Sequence, residues 1–196
     1  VGSARQRDIN LYERGVLMVR IAINLLNAGA SGVSYWSLID QYYGKNDNYD
    51  NMQQLGLWKY VKSAYAQDTC YKNIVITSDY EVRPQYFAYS LLTRFIRPGA
   101  EVYPIPTPEE FYAGTAIKNK DGKWVYVFAN GTNHEKRIQV SNGHVAGKGT
   151  YKVYKYTQDT LPKRDKQISP EKLSLKAEKD ISYTVPANSV LLLKEE

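Results

Sequence analysis

From Asn10 the chain reads Asn-Leu-Tyr-Glu, and apolar residues then recur at Val16, Leu17, Val19, Ile21, Ile23, Leu25 and Leu26, around most of a helical circumference. The Asn10 to Glu13 spacing is that of a capping box, and Gly29 just past Ala28 supplies a left-handed stop, so a helix is predicted between them. Such a helix is buried on more than one side. Residues 32–39 (Gly-Val-Ser-Tyr-Trp-Ser-Leu-Ile) read as a short strand, followed by a polar loop over 41–54 dense in Tyr, Asn and Asp. Leu55-Gly56-Leu57-Trp58 returns briefly to apolar character, and 59–78 is less regular. Arg83-Pro84 opens a second helix with Pro84 at its first position, where the missing N–H costs nothing. Phe87, Leu91, Leu92 and Phe95 follow at helical spacing, and Arg97-Pro98-Gly99 ends it.

Beyond Pro104-Ile105-Pro106-Thr107-Pro108 the texture changes to alternation, which sets a domain boundary between 1–104 and 105–196. Residues 112–118 and 123–130 flank an Asp121-Gly122 turn, a strong hairpin signal. Segments 135–140, 150–156, 181–185 and 189–193 add strands separated by Gly, Pro and Asn, a spacing that implies an antiparallel sandwich. The first half is different, because one short apolar strand with two helices is not a fold. Its backbone groups need partners on both sides, so strand 32–39 is expected to pair with residues outside this numbering, from the same protein or another chain.

Composition narrows the classes. Of 196 residues 43% are hydrophobic and 23% charged, which is a globular rather than a disordered balance. The formal charge of +6 is spread among acidic residues without a basic stripe or nucleic-acid motif, so no nucleic-acid partner is expected. Arg14 and Arg20 interrupt the first apolar helix, and no membrane span is expected. A single Cys70 excludes an intrachain disulfide or a multi-cysteine zinc site. His134 and His144 sit in polar stretches without a second ligand at metal spacing; both read as surface residues. The 46–51 run is rich in oxygen ligands but lacks the glycine and closing Glu of a calcium loop, so neither metal nor cofactor is expected. Tyrosine dominates the aromatics, 18 against 4 Phe, which suits either a Tyr-rich sheet or surfaces for polar ring-shaped ligands.

The order of these parts resembles the end of a clan A glycoside hydrolase, a (β/α)8 barrel followed by a small β-sandwich. The matching runs are Leu26-Asn27-Ala28-Gly29-Ala30-Ser31-Gly32, Val33-Ser34-Tyr35-Trp36-Ser37-Leu38, Leu55-Gly56-Leu57-Trp58, Arg83 to Leu92, and Phe95-Ile96-Arg97-Pro98-Gly99-Ala100. The nearest branches are β-xylosidase-like and glucosylceramidase-like or xylanase-like, whose sandwich likewise ends in a run similar to Val185-Pro186-Ala187-Asn188-Ser189-Val190. The resemblance implies an α/β plus all-β chain. Residues 1–104 would be the seventh helix, eighth strand and eighth helix of the barrel, and 105–196 the accessory sandwich. It further implies a retaining enzyme acting on a poly- or oligosaccharide, secreted, periplasmic or at the cell surface. Two glutamates about 5 Å apart do the chemistry in such enzymes. Neither matches a residue here, so both are expected upstream, and Glu13, at a helix N-terminus, is a poor substitute.

By the same resemblance Trp36 is the eighth-strand platform under the sugar beside the scissile bond; the other reading makes it a barrel-core plug. Indole suits the first role, since the axial C–H face of a pyranose packs on it. Asp40, Gln41 and Tyr42 follow at the mouth, placed either to hydrogen-bond sugar hydroxyls or to cap a loop. Tyr35 faces the other way by strand alternation and is expected against the outer helices. Trp58 lines the cleft or plugs the loop beneath it. Asn130-Gly131-Thr132 fits a glycosylation acceptor but better an ordinary turn. The alternative function is a carbohydrate-binding or structural sandwich without catalysis, with aromatics such as Tyr126 and Tyr154 or Tyr156 aligned and exposed on one sheet face.

Overall fold

The computed structural model describes residues 9–46, 49–60, 80–107, 109–141, 149–163, 166–172, 174–177 and 180–196, with the backbone alone over 41–46 and 49–53 and at 60 and 80. Cys70, His144 and most of the irregular 59–78 stretch lie outside them. Helix α1 (Glu13–Asn27) starts two residues later than the capping-box reading predicts. Tyr12 stands at its N-cap with no side-chain cap, while Asn10 Oδ1 accepts a 2.8 Å hydrogen bond from Arg83 Nε. A tertiary partner has taken the capping side chain. The first turn closes through backbone bonds instead, Arg14 N–H to the Leu11 carbonyl and Gly15 N–H to that of Tyr12. At the other end Gly29 adopts φ 93°, with Ala30 N–H on the Leu25 carbonyl and Gly29 N–H on that of Leu26, the double bond of a Schellman stop.

After α1 the expected strand does not form. Residues 32–39 run extended without a ladder; among the described residues one parallel bridge, between Ile39 and Trp58, is their strand pairing. The reason is geometric: no described strand runs beside residues 32–36, and β3 meets the segment only at Ile39. The polar stretch expected as a loop is instead a hairpin, β1 (Gln41–Asn46) antiparallel to β2 (Tyr49–Gln53). Tyr-rich flanks favour pleated pairing, and that local preference prevails over the polarity. Strands β3 (Trp58–Tyr60) and β4 (Tyr80–Val82) pair antiparallel and lead into α2 (Pro84–Phe95), with Pro84 in its first turn as predicted.

The remainder is mostly antiparallel sheet. Strands β5 (Glu101–Ile105), β6 (Tyr112–Lys118), β7 (Trp124–Asn130), β8 (Lys136–Val140), β9 (Gly149–Tyr156), β10 (Leu175–Ala177), β11 (Ile181–Val185) and β12 (Ser189–Glu195) form two sheets. One has six strands in the order β10-β9-β12-β7-β6-β5; the other pairs β11 with β8. The predicted hairpin is β6–β7, where Gly122 at φ 83° makes the turn and Asp121 Oδ1 accepts from Lys123 N–H. Strand β5 straddles the division expected at 104/105.

Two cores lie on opposite faces of the six-stranded sheet. Tyr126, Phe128, Leu191 and Leu193 pack with Ile138, Ile181 and Val185 of the β8–β11 ribbon. Val125, Val127, Ala129, Val190 and Leu192 pack with Val16, Val19 and Ile23 of α1 and Phe87, Ala88 and Leu91 of α2. All seven residues of β7 are therefore buried, which the expected polar-apolar alternation did not anticipate. The tyrosines nominated for an exposed binding face are buried too: Tyr126 lies beneath the ribbon, Tyr154 and Tyr156 beneath the helices.

A reciprocal tyrosine pair seats α1 on this sheet. The rings of Tyr12 and Tyr156 stack 4.5 Å apart, and each hydroxyl donates to the other's backbone carbonyl, at 3.0 and 2.8 Å. Burial pushes both phenols well above their ordinary pKa, so both remain donors. Gly15 makes the contact possible, since a Cβ there would lie 2.4 Å from the Tyr156 hydroxyl. At the far end Asn119 joins α2 to the β6–β7 hairpin, donating to the Phe95 carbonyl and accepting from Arg97 N–H.

Candidate functional site

Although among the described residues only its C-terminal end is bonded along an edge, the 32–39 segment keeps the pleat of a strand. Val33, Tyr35 and Ser37 are half-buried, whereas Ser34, Trp36 and Leu38 between them are exposed. The inward set faces the helices: Tyr89 on α2 donates to the Val33 carbonyl at 2.7 Å, and the Tyr35 and Tyr89 rings lie 6.2 Å apart. Tyr35 donates to the Leu55 carbonyl at 3.1 Å, and burial raises its pKa, keeping that proton in place. Tyr35 thus packs on the helix side as predicted.

The outward set is bare. Trp36 is 67% exposed and Leu38 63%, and among the described residues no ring stacks on Trp36. The Trp36–Ser37 peptide bond is cis. Directly after it, backbone bonds stitch the segment to the returning chain: Leu57 N–H to the Ser37 carbonyl, Trp58 N–H to that of Leu38, and Asp40 N–H to that of Trp58, all near 3.0 Å. An indole held by its backbone, with an open face, is chemically suited to a ring-shaped polar ligand.

Asp40 is turned away from solvent. It is 2% exposed, and both carboxylate oxygens are taken by Arg83 in a bidentate pair, 2.7 and 2.8 Å. Of its two readings, site or scaffold, the structure supplies the geometry of the scaffold. Arg83 also donates to the Gly56 carbonyl at 2.5 Å and to Asn10, while Gly56 N–H donates to Asp40 Oδ1 at 2.9 Å. Gly56 has no room for a side chain, because a Cβ would lie 2.3 Å from the backbone of Ile39 and Asp40. Gln41 and Tyr42 follow in β1, one and two residues beyond this anchor; their side chains lie outside what is described.

The other candidates resolve by contact. Trp58 is half-buried and meets Tyr86 edge-on at 5.8 Å, a packing role. Glu13 occupies the first turn of α1, favourable for a carboxylate at a helix N-terminus. Asn130 is fully buried, its amide donating to the His134 and Pro186 carbonyls and its oxygen accepting from Thr132. It is an Asx turn and offers no amide to a glycan. His134 is exposed beside Asn133. The residue that pattern reading missed is Arg83, taken only as the lead-in to a helix; its signal, an arginine before Pro84 with a carboxylate 43 residues back, has no local period.

No family model and no curated protein matches the sequence. Solved structures do match it. A glycoside hydrolase family 30 subfamily 8 xylanase, Xyn30A from Clostridium acetobutylicum, aligns over 99% of this chain and 41% of its own, at 14% identity and TM-score 0.65. A family 30 endoxylanase from Clostridium papyrosolvens C71 gives the same coverages, 13% identity and 0.62. An α-L-arabinofuranosidase from Thermotoga maritima, solved with arabinose, covers the same shares at 15% and 0.61. The chain shares the fold of the C-terminal part of clan A glycoside hydrolases. It spans under half the length of the structures it matches, and at these identities the likeness is one of fold.

Proposed function

We propose that this chain is the C-terminal portion of a retaining glycoside hydrolase, in which residues 32–39 are the eighth barrel strand and Trp36 is the platform under the sugar beside the scissile bond. The observation that carries the reading is the half-covered segment: a strand's pleat, one face on α1 and α2, the other bare and apolar, with no ladder over residues 32–36 among the described residues and a single stitch to Leu57 and Trp58 beyond them. Such an arrangement is complete only when further strands lie alongside it. Those strands belong to the rest of the barrel, which also supplies the acid–base and nucleophilic glutamates. Gln41 and Tyr42, at the carboxyl end of the segment, are the residues that reach sugar hydroxyls, because ligands sit at that end of barrel strands. The helices and segment 32–39 form the barrel part; the six-stranded sheet and its ribbon form the accessory domain on which they rest. The substrate is a poly- or oligosaccharide, and the enzyme works outside the cytoplasm.

The test uses the full-length protein with soluble xylan, arabinan and β-1,6-glucan as probes. Trp36→Ala is expected to lower turnover on the accepted glycan by orders of magnitude with an unchanged melting temperature. Turnover that survives the substitution assigns Trp36 to packing. The competing reading, a sandwich that grips glycan through aligned tyrosines, has little support, since Tyr126, Tyr154 and Tyr156 have no exposed face.

A further inference from the structure

We infer that the buried Asp40–Arg83 pair is a positioning device for the Trp36 wall, a role that rests on the function proposed above. Trp36 is 67% exposed and among the described residues no ring packs against it, so the direction of its indole follows from its backbone. That backbone is fixed on its C-terminal side by the return segment, through the bonds of Leu57 and Trp58 to Ser37 and Leu38. The return segment in turn hangs on Arg83. Its guanidinium binds the Gly56 carbonyl, its own N–H donates to the Leu57 carbonyl at 2.9 Å, and its fork holds Asp40 at the end of the Trp36 segment.

Arg83 thus grips both sides of the stitch at once, and it does so from the rigid start of α2. Asn10, ahead of α1, accepts from its Nε and completes the guanidinium's set of acceptors, so both helices are joined at one point. Only a planar fork makes this set of bonds; an ammonium reaches one or two of the acceptors. A bulkier residue than glycine at 56 would push the stitch open. The consequence is coupling: loosening Arg83 moves the wall without touching a residue that faces the sugar.

The test compares full-length Asn10→Ala, Arg83→Lys and Trp36→Ala, measuring kcat, KM and melting temperature on whichever of the three probe glycans the parent hydrolyses. Asn10→Ala is included because Asn10 is exposed and its loss leaves no buried charge unpaired, so the protein folds even where Arg83→Lys does not. Both positioning variants are expected to lower kcat/KM on the order of tenfold to a hundredfold, carried by kcat, at temperatures where they are fully folded. A lower melting temperature with unchanged kcat and KM makes the pair a stabilising contact only and overturns the inference, while a large loss in Trp36→Ala leaves the proposed function standing. If Trp36→Ala also retains full activity, the proposed function fails and the inference falls with it.

Discussion

Strand β7 and segment 32–39 are both extended, apolar and short, yet the chain treats them oppositely. β7 is buried at all seven positions, between helices on one face and the β8–β11 ribbon on the other. Segment 32–39 has helices on one face only, and Trp36 and Leu38 stand in solvent on the other. The lesson is that an apolar run says how much covering a strand needs, not whether the covering comes from its own chain. For β7 the cover comes from its own chain, α1 and α2 before it and the β8–β11 ribbon after it, and for 32–39 it is absent from the described residues.

The contrast is broken or sharpened by substitution in the chain itself, followed by urea denaturation. Arg83→Met removes the guanidinium that pairs with the buried Asp40 carboxylate and is expected to cost about 3–5 kcal/mol, the largest effect, although it lies beside the bare segment. Leu192→Ala, at the centre of the double-faced sheet, is expected to cost about 2–5 kcal/mol through the cavity it leaves. Gly15→Ala drives a methyl group into the Tyr156 hydroxyl and is expected to cost about 1–3 kcal/mol as α1 lifts from the sheet. Leu38→Ala and Trp36→Ala, on the bare face, are expected to change stability by no more than about 0.5 kcal/mol. A cost for either as large as that for Leu192 removes the distinction between the two regions.

What could be read from the sequence follows the range of each signal. Pro84 at a helix start, Gly29 at a helix end and Asp121-Gly122 in a hairpin act within a few residues, and all three stand where the pattern places them. The capping box at Asn10 had the right local chemistry and lost to Arg83, 73 residues away. Strand β5 was hidden by Pro104, tolerated because β5 lies on the sheet's edge where one set of backbone groups goes unpaired. The continuous burial of β7 needs knowledge that both faces are covered, which no window of its own residues contains. Around the candidate site, the outward and inward alternation of Trp36 and Tyr35 was legible from the strand pattern, whereas the Asp40–Arg83 anchor was not, since it is a contact between distant segments.

The central claim is that segment 32–39 finds its missing partners in the rest of the protein. Amide hydrogen exchange over residues 33–38 tests it directly, comparing this chain alone with the full-length protein. The account predicts fast exchange in the chain alone, where these amides lack ladder partners, and strong protection in the full-length protein, where strands flank them. Equally fast exchange in both would contradict it.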